Sequence, residues 1–358
     1  MDKRLSLKFS IISFLLLIGV VVGHGVNIKY ASSGSGFAVW FIESFLSTRL
    51  IKVIIPTFFF MSAYLFFLSF DVKTPFSLGT FTPKISKRFR TLGIPYVFWC
   101  AFWFIFWYVM QKLPGISAYF GNPLSDMPLE KQFWTMFIEP INYPFWFIRE
   151  LIMYVVITPL LYLYVKYFRI IGLLLLYIVA GIWFSLFTVW DVEVYRIHMI
   201  FWFCFGIYCS IHKINLRLDF QPWFQLLLVI VSLSLLAFTQ IFELRFPNYG
   251  DFTLYRIFSN IISLVACVTL WSTYDFLDKR MNFSYHNLYA FGFIIYAVHG
   301  IPILLLKEGI VKVLNPSPGL ALGLYFATIA AMILACIGFG MLFKKVSPRF
   351  YGLVTGNR

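Results

Sequence analysis

Apolar residues along the chain gather into ten runs, most of them close to the ~20 residues that a helix needs to cross a hydrocarbon core, with short polar segments between them. The runs fall near Ser10 to Val26, Leu50 to Phe70, Pro95 to Gln111, Phe145 to Val165, Ile170 to Trp190, Met199 to Ile211, Trp223 to Phe242, Thr253 to Tyr274, Leu288 to Leu306 and Leu320 to Phe343. The sixth is short and begins beside His198. This pattern predicts an all-α integral membrane protein, a bundle of about ten transmembrane helices. With no internal repeat, low-complexity tract or linker, residues 1–358 read as one polytopic domain. The longest loop, Lys112 to Pro144, ends in an aromatic stretch from Phe133 to Ile138 that is expected to lie along the membrane interface.

Composition excludes the soluble alternative. The chain is 61% hydrophobic and only 12% charged, against about a quarter charged in an average soluble domain. Its 29 Lys and Arg exceed its 15 Asp and Glu, but they are scattered in short runs between apolar segments, which speaks for topology and against a nucleic-acid partner. An inside amino terminus puts Lys3, Arg4, Lys8, the Lys84 to Arg90 run and Lys344, Lys345 and Arg349 on the cytoplasmic side, and leaves the other side near balance. Both termini are therefore expected in the cytoplasm, with an even number of spans in a multi-pass protein of the cell's inner membrane. A cleavable signal is the alternative for the first run, but removing it would leave an odd number of spans. The five cysteines, all in apolar runs, read as packing residues with no disulfide framework and no metal site.

Ionisable groups at membrane depth are costly unless paired or facing water, so each is a candidate for function. His24 lies about 21 Å along the first run and His299 about 16 Å along the ninth, counting 1.5 Å per residue. Arg149 and Glu150 sit just below the outer start of the fourth. Together these groups predict a polar pocket in the outer half of the bilayer. Each has a plainer reading. His24 and His299 also fit structural histidines. Arg149 and Glu150, neighbours pointing about 100° apart, are expected to seek partners on other helices rather than each other, as an interhelix lock or as substrate contacts. His198, His212 and His286 fall at run ends or in loops, where interfacial roles are expected. The Lys84, Lys87, Arg88 and Arg90 cluster fits either a topology signal or a phosphate site.

Five blocks in order resemble the membrane-bound acyltransferase family 3, integral membrane O-acyltransferases of surface glycans. They are His24 closing the first run; Pro56-Thr-Phe-Phe-Phe-Met-Ser62-Ala-Tyr-Leu; Lys87-Arg88-Phe-Arg90 before Ile94-Pro95-Tyr96; Phe145-Trp146-Phe147-Ile148-Arg149-Glu150-Leu151 with Pro159; and Tyr296-Ala-Val-His299. Two positions depart: Ser13 stands where the family often carries a basic residue, and Ala63 replaces a glycine.

The resemblance implies an acyl-CoA donor, most simply acetyl-CoA, on the cytoplasmic side. The acceptor would be a hydroxyl of a surface polysaccharide or lipid-linked glycan, reached from outside. It implies His24 as general base, Glu150 or His299 beside it, Arg149 steadying developing charge, and Lys87, Arg88 and Arg90 on the CoA phosphates, with no metal. Membrane lipids are the remaining expected partner. A transporter or flippase of a lipid-linked sugar is the rival reading, since many spans around a polar interior serve that too.

Overall fold

The computed structural model describes residues 2–25, 36–114, 123–186, 199–246, 253–314 and 316–357, and among these every regular element is a helix. The helices are α1 (Lys3–His24), α2 (Phe37–Ser44), α3 (Ile51–Phe66), α4 (Leu78–Arg88), α5 (Ile94–Lys112), α6 (Leu129–Phe137), α7 (Trp146–Val156), α8 (Thr158–Leu186), α9 (Ile200–Ile211), α10 (Pro222–Arg245), α11 (Thr253–Met281), α12 (Gly292–Val298), α13 (Gly300–Leu314), α14 (Pro318–Val346) and α15 (Pro348–Thr355). His198 and the end of the fifth run, up to Trp190, lie outside the described residues.

Among the described residues, seven helices are long and apolar enough to cross a membrane, or up to eight if the bent pair around His299 is one span. Six of the expected runs correspond to such helices: the first, second, third, seventh, eighth and tenth. The others differ for local reasons. The fourth run breaks at Ile157, because Pro159 has no N–H to give and disfavours helix at the residue before it; Thr158 Oγ1 turns back to the Val155 carbonyl at 2.7 Å. α8 then runs through the expected loop, its two helical stretches meeting at Arg169, where φ is 49°. The sixth run forms the 12-residue α9. The ninth bends by 67° between α12 and α13.

Large apolar side chains stand exposed around the bundle, Ile171 and Leu160 on α8, Leu226 on α10, and Leu334 and Leu342 on α14 among them. Apolar surface on that scale has hydrocarbon as its natural neighbour. Inside, α3 and α9 approach closely at Gly206, where a Cβ would come within 2.3 Å of the Phe60 carbonyl oxygen. Ser210 Oγ seals the contact by donating to the Tyr64 carbonyl at 3.0 Å.

Two ion pairs, one buried and one partly buried, tie distant parts together, both formed by residues whose charge reads from sequence as a loop signal. Lys8 Nζ lies 2.6 Å from Asp275 Oδ2 and also donates to the Leu216 carbonyl at 3.0 Å. Arg49, on a π-helical turn at Phe45–Arg49, donates both terminal nitrogens to Glu243, at 2.6 and 2.5 Å, and Nε to Gln240 Oε1 at 2.8 Å. Lys52 joins at 3.2 Å.

Removing one partner of a buried pair strands the other, which costs about 3–5 kcal/mol. Glu243→Ala leaves both Arg49 and Lys52 without their carboxylate, so its denaturation in detergent micelles should fall by that order. Lys279→Ala, which breaks the exposed pair with Asp219, should change stability by no more than about 1 kcal/mol.

Candidate active site

A cavity of about 480 Å³ runs between α1, α3, the start of α7 and the segment leading into α12. α1 lines it with Ser10, Ser13, Phe14, Leu17, Val20 and His24, a spacing of three and four residues that keeps one helix face turned inward. From Ser10 to His24 that face covers about 21 Å at 1.5 Å per residue. One end of the cavity holds Arg88 and the exposed Tyr285; the other holds His24, Tyr143, Pro144 and Tyr296. The shaft between them is mostly apolar, with Leu17, Ile55, Phe58 and Phe147 on the wall and Ser62 among them. Among the described residues, Arg88 is the one Lys or Arg lining it.

At the far end the His24 ring lies 5.3 Å from the ring of His299, centre to centre, and 6.2 Å from that of Tyr143. Lys307 Nζ donates to the His24 carbonyl at 3.4 Å, placing a cation at the negative end of α1. His299 is buried at the bend between α12 and α13. Its Nδ1 sits 2.9 Å from the Ile295 carbonyl and 3.0 Å from that of Tyr296. Carbonyls only accept, so Nδ1 carries the proton and the lone pair of the neutral ring is at Nε2, a buried atom with no hydrogen-bond partner.

The bend follows from Pro302, which has no N–H and whose ring crowds the carbonyl four residues back. The opened turn is held by side chains from elsewhere. Trp103 Nε1 and Asn142 Nδ2 both donate to the Ala297 carbonyl, at 2.9 and 3.0 Å. Tyr296 donates its hydroxyl to the Pro144 carbonyl. Gly300 admits Asn142, since a Cβ there would stand 2.2 Å from Asn142 Oδ1.

Of the residues singled out in the sequence, His24 and Arg88 line the cavity and His299 backs His24. Lys87 and Arg90 are exposed and stay off its wall. Arg149 and Glu150 also lie behind it, and the expectation that they avoid each other is overturned: Arg149 Nη2 is 3.4 Å from Glu150 Oε1. The long guanidinium reaches back across the first turn of α7, where it also donates to the Ile138 carbonyl at the end of α6. Tyr96 donates to the neighbouring Phe137 carbonyl at 2.5 Å. Of the family departures, Ser13 faces the cavity, whereas Ala63 faces Gly206 in the α3–α9 contact. His286 Nδ1 accepts from the Leu288 N–H at 3.2 Å, and His212 packs on Tyr208 at 4.3 Å between ring centres, both local structural roles. All five cysteines are free and buried. Asn142, Tyr143 and Lys307 were not legible as site residues, because each comes from a segment whose sequence carries no periodic signal toward the cavity.

A multi-pass membrane protein built around a long cavity, with a guanidinium at one end and an imidazole pair at the other, is the class that fold and site define. Residues 11–340 match the model of the acyltransferase domain family Acyl_transf_3, and the chain belongs to that family. It is also similar to the succinoglycan biosynthesis protein ExoH of Rhizobium meliloti (strain 1021), with 24% identity over 232 residues, 61% of this chain. The match spans 57% of that relative's length. No solved structure matches the chain.

Gly300→Ala forces the added methyl against Asn142 and should cost about 1–3 kcal/mol, as overpacking does. Gly309→Ala, in the same helix with nothing within 4 Å of its Cβ position, should stabilise by up to about 1 kcal/mol. Thermal unfolding of the two variants in detergent measures the contrast.

Proposed function

We propose that the protein is an O-acyltransferase of the cell's inner membrane that moves an acyl group, most simply acetyl, from cytoplasmic acyl-CoA to a hydroxyl of a surface polysaccharide or lipid-linked glycan. The observation that carries this reading is the cavity with Arg88 at one end and His24 at the other. In this reading the chain crosses ten times with both termini in the cytoplasm. α7 with the first part of α8, the rest of α8, and the short α9 complete the count. The Arg88 end then faces the cytoplasm, among the basic residues that mark that side.

Arg88 would hold a phosphate of CoA by charge-assisted hydrogen bonds, and the acylated arm would lie along the apolar shaft. His24 would take the proton from the acceptor hydroxyl as its oxygen attacks the thioester carbonyl. The C–S bond then breaks, the ester forms, and the imidazolium returns the proton to the departing thiolate. A histidine suits both steps because its ordinary pKa lies near 6.5. An uncharged acyl group fits the His24 end, where the described cavity wall presents no Lys or Arg. Arg149 and Glu150 would act by anchoring α6 beside the mouth of the site, away from the reacting atoms. Membership of an acyltransferase family favours this chemistry over a transporter of lipid-linked sugars.

With purified protein, acetyl-CoA and a membrane glycan extract, His24→Ala should lower turnover by about 10²–10⁴-fold, the usual contribution of a general base. Full turnover in that variant removes His24 as the base. Arg88→Ala should raise the KM for acetyl-CoA by about 10- to 100-fold, the worth of one charged hydrogen bond, while Lys87→Ala and Arg90→Ala change it far less. Mass spectrometry of surface glycans with and without the gene identifies the ester; glycan translocated without acylation would favour the transporter.

A further inference from the structure

The proposed reaction uses His24 and leaves unexplained the second imidazole behind it. His299 is buried, off the cavity wall, and its ring centre is 5.3 Å from that of His24. Two features of it go beyond what packing requires. Its Nδ1–H is held by two backbone carbonyls, Ile295 and Tyr296, which fixes one tautomer. The opposite nitrogen, Nε2, is thereby left as a pure acceptor in an enclosed place with no hydrogen bond. A buried acceptor left unpaired costs about 1–3 kcal/mol, and a ring that needed only to fill space would avoid that cost as an apolar residue.

The structure also shows why the acceptor stays where it is. The Pro302 bend opens the turn around Ala297, and Trp103 and Asn142 hold that turn. The same bend leaves the His299 ring on the His24 side of the break, against the end of α1. Two imidazoles meeting edge to edge through a nitrogen-to-nitrogen hydrogen bond of about 3 Å, with part of a ring on either side, have centres separated by the distance found here. The rings are tilted by 50°, so a rotation of the His24 ring completes the contact; hydrogen bonds of this kind commonly tighten only with substrate in place.

Resting on the acyl-transfer reading above, we propose that His299 is a positioning residue for His24. Its Nε2 accepts the N–H of the His24 ring, so that the other His24 nitrogen presents its lone pair to the cavity. His299 takes no proton and touches no substrate. It decides which nitrogen of His24 is the base, the part a buried carboxylate plays for the histidine of a hydrolase triad, here supplied by a neutral ring.

The test compares two substitutions that keep opposite halves of the imidazole. His299→Asn retains a short amide donor to the Ile295 and Tyr296 carbonyls and loses the acceptor at the Nε2 position. His299→Gln carries an amide oxygen out to the Nε2 position. Full-length protein in detergent is assayed by CoA thiol release from acetyl-CoA, with a methyl glucoside at high concentration as surrogate acceptor. Melting temperatures are taken alongside. The proposal expects kcat of His299→Asn to fall about tenfold or more with the KM for acetyl-CoA unchanged, and His299→Gln to keep most of the activity. A structural histidine gives the reverse order, and that result overturns the proposal. A second readout does not depend on turnover. In protein labelled with ¹⁵N-histidine, the His24 ring should hold one tautomer in the wild type and a mixture in His299→Asn. An unchanged His24 spectrum overturns the proposal even if the activities agree with it. Wild-type protein that releases no CoA would instead fail the acyl-transfer reading, and the tautomer measurement would still decide the His24–His299 contact.

Discussion

In hydrocarbon a backbone carbonyl that loses its helical partner has no water to turn to. Pro302 has no N–H for the Val298 carbonyl four residues back and the helix bends there by 67°; the candidate site is built from the groups that pack into that bend. Trp103 comes from α5 and Asn142 from the loop before α7, and both bond the Ala297 carbonyl. Tyr296, on the same turn, bonds the carbonyl of Pro144. The bend is thus a junction where three separate parts of the chain are pinned, and His299 is carried on it. Geometry that a straight helix could not supply is obtained by breaking one and repairing the break with side chains.

The cavity owes its length to a second constraint, the periodicity of α1. Positions 10, 13, 17, 20 and 24 turn the same way, so a single helix face defines one wall from the Arg88 end to the His24 end. The opposite face and flanks of α1 pack closely, as where a Cβ on Gly19 would stand 2.5 Å from the Ile54 side chain. Charge is kept at the margins of this arrangement: Lys8 with Asp275 near one end, and Arg49 and Lys52 with Glu243 toward the other. The shaft itself is left mostly apolar, an unfavourable place for ions.

Much of this was legible in the sequence, and the limits have physical causes. Long uninterrupted apolar runs announce themselves, so α10, α11 and α14 were foreseen nearly whole. Depth along a helix is arithmetic, which is why His24 and His299 were expected at similar levels and are found side by side. Of the basic cluster, only the structure separates Arg88, which lines the cavity, from Lys87 and Arg90, which are exposed, because successive helical residues point about 100° apart and the local pattern does not say which of them faces inward. The Arg149–Glu150 pair was missed by an angle rule that holds for short side chains, and the guanidinium is long. Lys8 and Asp275 read as loop charges because hydropathy records how polar a residue is, and the residue facing it is recorded nowhere in the local pattern.

The separations in sequence carry one more consequence. Lys8 bonds a residue 267 positions later, Ser47 bonds Tyr325, 278 positions later, and His24 rests against His299. α1 therefore finds its ion-pair partner and its neighbouring imidazole in the last third of the chain. Until that part is made, α1 waits in the bilayer with its lysine uncompensated, and the wall it contributes encloses nothing. Assembly of the bundle brings α1 against α11, α12 and α13, and a nascent chain stopped short of α12 has helices but no enclosed cavity.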